Sequence, residues 1–529
     1  MKTGPSAPRR RFPIRRGSQT VSFVLFLVLL LYVAWPYAER FSARVLADKE
    51  RVPAELFLVL DPLASLAAAV AGRCVGVFLL WTMAILALSL LVPRVFCSHI
   101  CPLGTTIDLG DWALGRRLTR LRVRPRGPWV HAKYYVLAAV LVAAAFGVTL
   151  AGHVAAIPVA TRGFVFILGP AQLAALKHAS MVRPVAWNYW LSIALFLCIP
   201  ALALLGRRFW CRTLCPTGAL FSLAGRLRLR ERRVKDSCIR CGKCVAACPF
   251  DAVRPDDFAT RHAECAFCPD CARACPVDAI EFVWRRRGTA RETAADSKTS
   301  EVLTDGPPLS RRALLGASAA GALAAAGLRA MPRRRLLRPP GSVAEDRFLR
   351  LCVRCGLCLK ACPGPVLHPA GVEAGLDALW TPVAVPSWAG CHQDCNFCGQ
   401  VCPTGAIRPL PIEVKRATHM GLAVVNPTTC LPHSGQRDCQ LCHDECRAAG
   451  YNAIEMREIR LAAAEVPEGV LSPAEAEEAG RILAPFVNRD ACVGCGLCEY
   501  RCHTVWVKQH RTLAASAIAV VPENEDRPG

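Results

Sequence analysis

The 529 residues include 53% hydrophobic and 20% charged side chains, and 65 Lys+Arg against 41 Asp+Glu leave a net charge of +24. Such a chain is too apolar for intrinsic disorder. It is also more apolar than a purely water-soluble chain of this size, so membrane spans are expected. Of its 30 cysteines, 24 fall into six tight groups of metal-ligand spacing, which leaves too few for a disulfide framework.

In chain order, the first half carries four long uncharged runs, 17–38, 74–92, 134–152 and 185–206. Each is near the ~20 residues that a helix needs to cross the hydrocarbon core. Two weaker runs, 56–72 with Asp61 inside it and 163–176 with only 14 residues, read as interfacial or re-entrant pieces. Basic residues set the orientation. Lys2, Arg9, Arg10, Arg11, Arg15 and Arg16 precede the first run without an acid. Arg94, Arg116, Arg117, Arg120, Arg122, Arg124 and Arg126 lie between the second and third runs. Arg207, Arg208, Arg212, Arg226, Arg228, Arg230, Arg232, Arg233 and Lys235 follow the fourth, whereas the connection before it has only Arg162, Lys177 and Arg183. The N-terminus, the second connection and the segment after the fourth run are therefore expected in the cytoplasm. The basic excess is then a topology signal. With no recognisable nucleic-acid module beside it, no nucleic-acid partner is expected.

This half contains a repeat. Arg94-Val95-Phe96-Cys97-x3-Cys101-Pro102-Leu103-Gly104 follows the second run, and Arg208-Phe209-Trp210-Cys211-x3-Cys215-Pro216-Thr217-Gly218 follows the fourth. The thiols Cys97, Cys101, Cys211 and Cys215 could together hold a metal or an iron–sulfur cluster, or each pair could be a redox dithiol. Structural thiols at tight turns are the third reading. Cys74 and Cys198 read as packing residues. His131, His153 and His178 lie at the edges of the runs or outside them, which gives no pair of ligands for a haem within the bilayer.

Next come Cys238-x2-Cys241-x2-Cys244-x3-Cys248-Pro249 and Cys265-x2-Cys268-x2-Cys271-x3-Cys275-Pro276. This is the bacterial ferredoxin run, in which the fourth cysteine ligates the other cluster. The expected sets are Cys238, Cys241, Cys244, Cys275 and Cys265, Cys268, Cys271, Cys248. Zinc sites favour two pairs of ligands instead. After a polar linker at 285–309, Ser310-Arg311-Arg312-Ala313-Leu314-Leu315 opens an Ala- and Gly-rich run to Leu328. It looks like a twin-arginine export signal with Leu314 where Phe is usual. Left uncleaved, it would be a further span that carries the rest of the chain outward.

Four more groups follow: Cys352, Cys355, Cys358, Cys362; Cys391, Cys395, Cys398, Cys402; Cys430, Cys439, Cys442, Cys446; and Cys492, Cys495, Cys498, Cys502. Sixteen thiolates suit four 4Fe–4S clusters, so six clusters are expected in all. Cys439-Gln-Leu-Cys442-His443 also matches the c-type haem attachment signal. A haem there would strip Cys430 and Cys446 of their cluster partners.

The order of parts resembles a NapH–NapG fusion. The membrane half with its two Cys-x3-Cys-Pro elements and double-cluster module resembles NapH and the core of NosR-type proteins, and residues 310–505 resemble the exported MauM/NapG family. The fold this implies is an α-helical membrane domain of four spans plus α+β ferredoxin-like iron–sulfur modules, one dicluster and one tetracluster. The expected parts are a membrane domain (1–236), a cytoplasmic ferredoxin (237–284), the linker, a twin-arginine signal or anchor (310–331), an exported four-cluster domain (346–510) and a tail (511–529). By analogy with ferredoxin-like subunits, the first cysteine group of that domain pairs with the fourth and the second with the third. The resemblance implies a protein of the bacterial inner membrane, its N-terminal half facing the cytoplasm and its C-terminal half the periplasm. It would take electrons from the quinone pool, with quinol as substrate, toward a periplasmic cytochrome or a terminal reductase such as a nitrate reductase system. A maturation factor of the NosR or CcoG kind and a redox sensor are the other classes. One electron hop cannot cross a ~30 Å hydrocarbon core, so a quinone or the Cys-x3-Cys-Pro elements must join the two cluster groups, or the groups do separate jobs.

Overall fold

A computed structural model describes residues 14–33, 52–115, 128–176, 182, 186–285, 310–331, 334–460 and 481–522. The basic residues at 2–11, 116–126, Lys177 and Arg183, together with His178 and the linker at 286–309, lie outside the described residues.

Helix α1 (Ile14–Tyr32) starts the membrane domain. Short helices α2 (Leu56–Val59) and α3 (Pro62–Gly72) are broken at Asp61, whose carboxylate caps α3 by accepting from Leu63 N and Ala64 N at 3.1 and 3.4 Å. Helices α4 (Val77–Leu91), α5 (Pro102–Gly110), α6 (Ala132–Ala145), α7 (Ala156–Leu176), α8 (Trp187–Ala201) and α9 (Pro216–Ala224) follow. Among the described residues four helical stretches are long and apolar enough to cross a membrane: α1, α7, Trp187–Leu204 and α10 (Arg311–Ala330).

The count matches the expected four, but its membership differs. The run at 74–92 forms only the 15 residues of α4, and that at 134–152 gives the 14 of α6 before the chain turns at Gly147, φ +77°. Conversely, the piece at 163–176, expected to be interfacial or re-entrant, is the last two thirds of the 21-residue α7. The charge of Arg162 hid the first third. Arg162 is fully buried, donating to Ser192 Oγ at 2.8 Å, Gly152 O at 2.8 Å and Arg354 O at 3.0 Å. A helix can carry a cation through an apolar layer when its donors are taken up in this way.

Helix α10 lies along α6. A Cβ on Gly321 would sit 2.4 Å from Ala139 O, so the two backbones touch, and Ala325 packs with Ala143. Small residues permit this approach. Ser310 caps α10, and its N–H donates to the Tyr135 hydroxyl at 3.1 Å.

In the eight-cysteine module, strand β1 (Arg230–Val234) pairs antiparallel with β2 (Ile280–Trp284). The sixteen-cysteine module contains three antiparallel pairs: β3 (Leu367–Pro369) with β4 (Pro382–Ala384), β5 (Leu422–Val425) with β8 (Ile518–Val521), and β6 (Ile454–Arg460) with β7 (Arg481–Val487). Strand β8 falls in the stretch expected as a tail. On the other side, Arg338 is tied to Glu345 and Leu337 is buried, so the ordered unit also begins before residue 346.

The two cysteine modules meet opposite ends of α1. Arg15 binds Asp270 of the first module at 2.7 Å, while Leu31 O accepts from Gln172, whose amide oxygen accepts from Lys360 of the second. Nineteen residues make α1 about 28 Å long.

Candidate iron–sulfur and thiol sites

The cysteine loops have a shared local geometry. Arg240, Phe267 and Arg354, each next to a cysteine, take left-handed φ of 51–54°, and Gly242, Gly356 and Gly496 follow suit at 74–80°. These turns let three close thiols face inward. The fourth thiol of four of the six groups accepts a backbone N–H: Cys248 from Ala252 at 3.2 Å, Cys275 from Ala279 at 3.3 Å, Cys402 from Ile407 at 3.4 Å and Cys446 from Ala453 at 3.3 Å. N–H···S bonds of this kind stabilise thiolate and tune cluster potential.

In the first module, Cys238, Cys241, Cys244 and Cys275 line one cavity. Cys248 lies within electrostatic reach of Cys265, Cys268 and Cys271. The two expected sets are thus brought together. In the second module the expected pairing of groups is overturned. Cys402 faces Cys352, Cys355 and Cys358, and Cys362 faces Cys391, Cys395 and Cys398. Cys502 joins Cys430, Cys439 and Cys442, while Cys446 joins Cys492, Cys495 and Cys498. The first group pairs with the second and the third with the fourth. The Cys439 and Cys442 of the haem-like motif sit in a four-thiol cage, and His443 turns aside to Asp444 at 3.2 Å.

The cages form a row. Cys358 is within reach of Cys398, Cys391 N donates to Cys495 O at 2.7 Å, and Cys442 is within reach of Cys498. Burial pushes the Cys265, Cys355, Cys395, Cys442 and Cys495 thiols up to about 12. Such thiols keep their protons until a metal displaces them. Among the described residues no three Cys, His, Asp or Glu side chains close on one point as ligands of a single ion do. Four-thiol cages with N–H···S bonds suit 4Fe–4S clusters.

The two Cys-x3-Cys-Pro elements meet face to face. Cys97, Cys101, Cys211 and Cys215 are all buried and within reach of one another. Pro102 and Pro216 start α5 and α9, and the cysteines before them hold near-identical backbones, φ −63°, ψ 115° and φ −67°, ψ 112°. Both arginines that open the copies have left-handed φ, 54° at Arg94 and 46° at Arg208, and both are fully buried. Each crosses to the other copy: Arg94 donates to Cys211 O at 3.2 Å, and Arg208 to Cys97 O at 2.9 Å.

The symmetry breaks at the balancing acid. Arg208 is held by Asp108 through bonds of 2.6 and 2.7 Å. The corresponding position in the second copy is Ser222, and Arg94 instead pairs with Glu264 of the eight-cysteine module, which also binds Lys133. Burial opposes charge on Glu264, but Lys133 and Arg94 overcome it and bring the carboxyl down to about 2. Phe250, two residues past Cys248, lies under both guanidinium groups, at 4.5 Å from Arg208 and 5.4 Å from Arg94. The sequence places both arginines at the head of the repeat and among the topology markers, but gives them no role toward the thiols. Their equal offset from the first cysteine of each copy was the available signal.

The second module is seated as firmly. Arg354 donates to Thr149 O at 2.6 Å, Asn188 to Pro369 O at 2.7 Å and Trp380 to Asn188 O at 2.9 Å. A Cβ on Gly152 would meet Val353 O at 2.5 Å.

These sites define a membrane-associated iron–sulfur protein of electron transport. A 4Fe–4S binding domain family matches residues 75–121, 189–235 and 397–416, and a second 4Fe–4S binding domain family matches 232–254. The chain belongs to the MauM/NapG family of ferredoxin-type proteins. It is 35% identical to the methylamine utilization ferredoxin-type protein MauM of Methylorubrum extorquens over 40% of this chain and 89% of that one. It is 33% identical to MauM of Methylophilus methylotrophus over 35% of this chain and 71% of the relative. Ferredoxin-type protein NapG of Escherichia coli is 36% identical over 35% of this chain and 70% of its own length. No solved structure matches.

Proposed function

We propose that this chain is a NapH–NapG-type fusion that oxidises quinol in the membrane and delivers electrons to a periplasmic acceptor. The observation that carries this reading is the seat of the second module. The loop of Cys352, Cys355 and Cys358 is buried against α7, with Arg162 donating to Arg354 O at 3.0 Å, and three further cages lead away from it. Bound 4Fe–4S clusters would supply one-electron acceptance in the cages, six of them held by the 24 grouped cysteines. The exit of the row is the cage of Cys430, Cys439, Cys442 and Cys502, where a cytochrome or reductase would dock.

The membrane face of that seat supports a quinone headgroup. His153 Nδ1, Arg162 Nη2 and Tyr189 Oη are buried polar atoms without a hydrogen-bond partner. Two of them flank Trp380, which lies 5.4 Å from the His153 ring and 3.9 Å from the Arg162 guanidinium, while Tyr189 packs its ring on Phe166 at 4.6 Å. A hydroxyl or carbonyl ligand beside Trp380 would satisfy His153 and Arg162.

The chain then sits in the inner membrane with the eight-cysteine module in the cytoplasm and the sixteen-cysteine module in the periplasm. Helix α10, packed along α6, stays as an anchor. Membranes containing the full chain are expected to reduce added cytochrome c with a quinol analogue, and His153→Leu to lower that rate at least tenfold while dithionite still reduces the clusters. Membranes with and without the chain reducing cytochrome c equally would refute the reading.

A further inference from the structure

We infer that Cys97, Cys101, Cys211 and Cys215 jointly hold one further iron–sulfur cluster, set between the two modules and joining them across the membrane. This deepens the reading above, but it needs no quinol.

The stoichiometry of the two copies leads to a shared site. Each matched segment, 75–121 and 189–235, brings only two of these thiols, and a four-cysteine cluster needs both copies. The two arginines that cross between the copies fasten them into one unit. The ligand geometry repeats that of the cages. Cys215 accepts from Gly218 N at 3.3 Å, as Cys248 and Cys275 accept from Ala252 and Ala279, and Gly104 offers the same backbone group to Cys101. Both glycines sit tight against the partner cysteine's backbone: a Cβ would stand 3.0 Å from Cys97 O at Gly104 and 3.0 Å from Cys211 O at Gly218. Two fully buried guanidinium groups flank the thiols, which suits the negative charge of a thiolate-ligated cluster.

Position makes the site a bridge. On one side Ser98 Oγ donates to Ala266 O at 3.4 Å, next to Cys265, and Phe250 spans both arginines. Ser22, eight residues into α1, donates to Ile100 O at 2.8 Å, so the thiols lie sunk among the helices, roughly 12 Å along α1. On the other side Thr217 donates to the buried Asp61 at 3.3 Å, and Asp61 accepts from Ile157 N at 3.0 Å. Five residues of α7, roughly 8 Å, lead from there to Arg162 and hence to Arg354 beside Cys355. Helix α3 spans the same interval in 11 residues, roughly 16 Å, from Asp61 to Gly72 against Leu351. The ~30 Å gap that separates the two arms is thereby divided into two shorter ones. Loading is a ligand exchange with an iron–sulfur cluster donor: four Fe–S bonds to these cysteines form as the donor's bonds to the cluster break, and the four thiol protons pass to the donor's released ligands or to water, with no change of oxidation state. In transfer, one electron enters from the eight-cysteine arm and one leaves to the sixteen-cysteine arm.

Full-length protein purified without oxygen should hold about 28 iron and about 28 acid-labile sulfide per chain, against about 24 for six clusters. Cys97→Ser and Cys211→Ser, one from each copy, should each abolish the same single paramagnetic species and leave the others. About 24 iron in the parent chain, or variants that keep every species, would overturn the shared cluster. In quinone-free liposomes, dithionite confined to the eight-cysteine face should reduce the sixteen-cysteine module of the parent chain, and at least tenfold more slowly in Cys97→Ser. No reduction in the parent, or equal rates, would overturn the bridge and leave quinol oxidation standing. Normal transfer here with no response to quinol would do the reverse.

Discussion

At the scale of single residues, charge balance around the Cys-x3-Cys-Pro pair governs docking of the eight-cysteine module. Arg94 and Lys133 are fully buried and share Glu264 as their acid. Removing one partner of a buried ion pair costs ~3–5 kcal/mol. Glu264→Gln is therefore expected to lower stability by about that amount, read as a drop in the denaturation midpoint. Ser222 stands where the first copy has Asp108, so adding Ser222→Asp to Glu264→Gln should recover a large part of the loss. No recovery would show that the two copies are not electrostatically equivalent. Asp111, in the turn after α5 and outside the spans, gives a pH signature. Burial pushes its carboxyl up to about 6, although it accepts from Arg208 N at 3.0 Å. An acid whose folded pKa is raised contributes stability below its unfolded pKa, near 4, and loses it as pH rises through about 6. Asp111→Asn should match the parent at pH 4 and exceed it at pH 7.5 by on the order of 1 kcal/mol. Equal midpoints at pH 7.5 would contradict this.

At the scale of elements, hydropathy found α1 and α8 because their charges lie outside the apolar stretch. It missed the first third of α7 because Arg162 interrupts the run, and only tertiary partners reveal that its charge is accommodated. The Cys-Pro junctions were informative, since Pro at the first helical position fixes where α5 and α9 begin. The cysteine spacings located every cage, yet spacing alone does not choose which groups pair. That choice is made by the tertiary fold, which brings Cys402 to Cys352 and Cys446 to Cys492. Helix α10 supplies the test at this scale. Gly321→Leu would force a side chain into Ala139 O, now 2.4 Å from a Cβ position. The variant should lose a disulfide engineered between α6 and α10 that the parent forms, while the parent chain stays at full mass in the membrane. A parent cleaved near Ala330 would contradict the anchor.

At the scale of the whole molecule, 28 of the 30 cysteines fall into seven sets, every member but Cys241 buried or half-buried, that run from Cys238 through the membrane helices to Cys430. Cys74 and Cys198 stand apart from them. The row was not legible in the sequence, because its continuity depends on crossed arginines, on Asp61 between α3 and α7, and on the docking of both modules at opposite ends of α1. In the proposed function, quinol feeds this row. The most direct measurement is electron paramagnetic resonance of the full-length chain in membranes, frozen after a quinol analogue is added. The expected spectrum shows reduced 4Fe–4S signals from the sixteen-cysteine module, lost with His153→Leu. Clusters that stay oxidised with quinol while dithionite reduces them would contradict the claim.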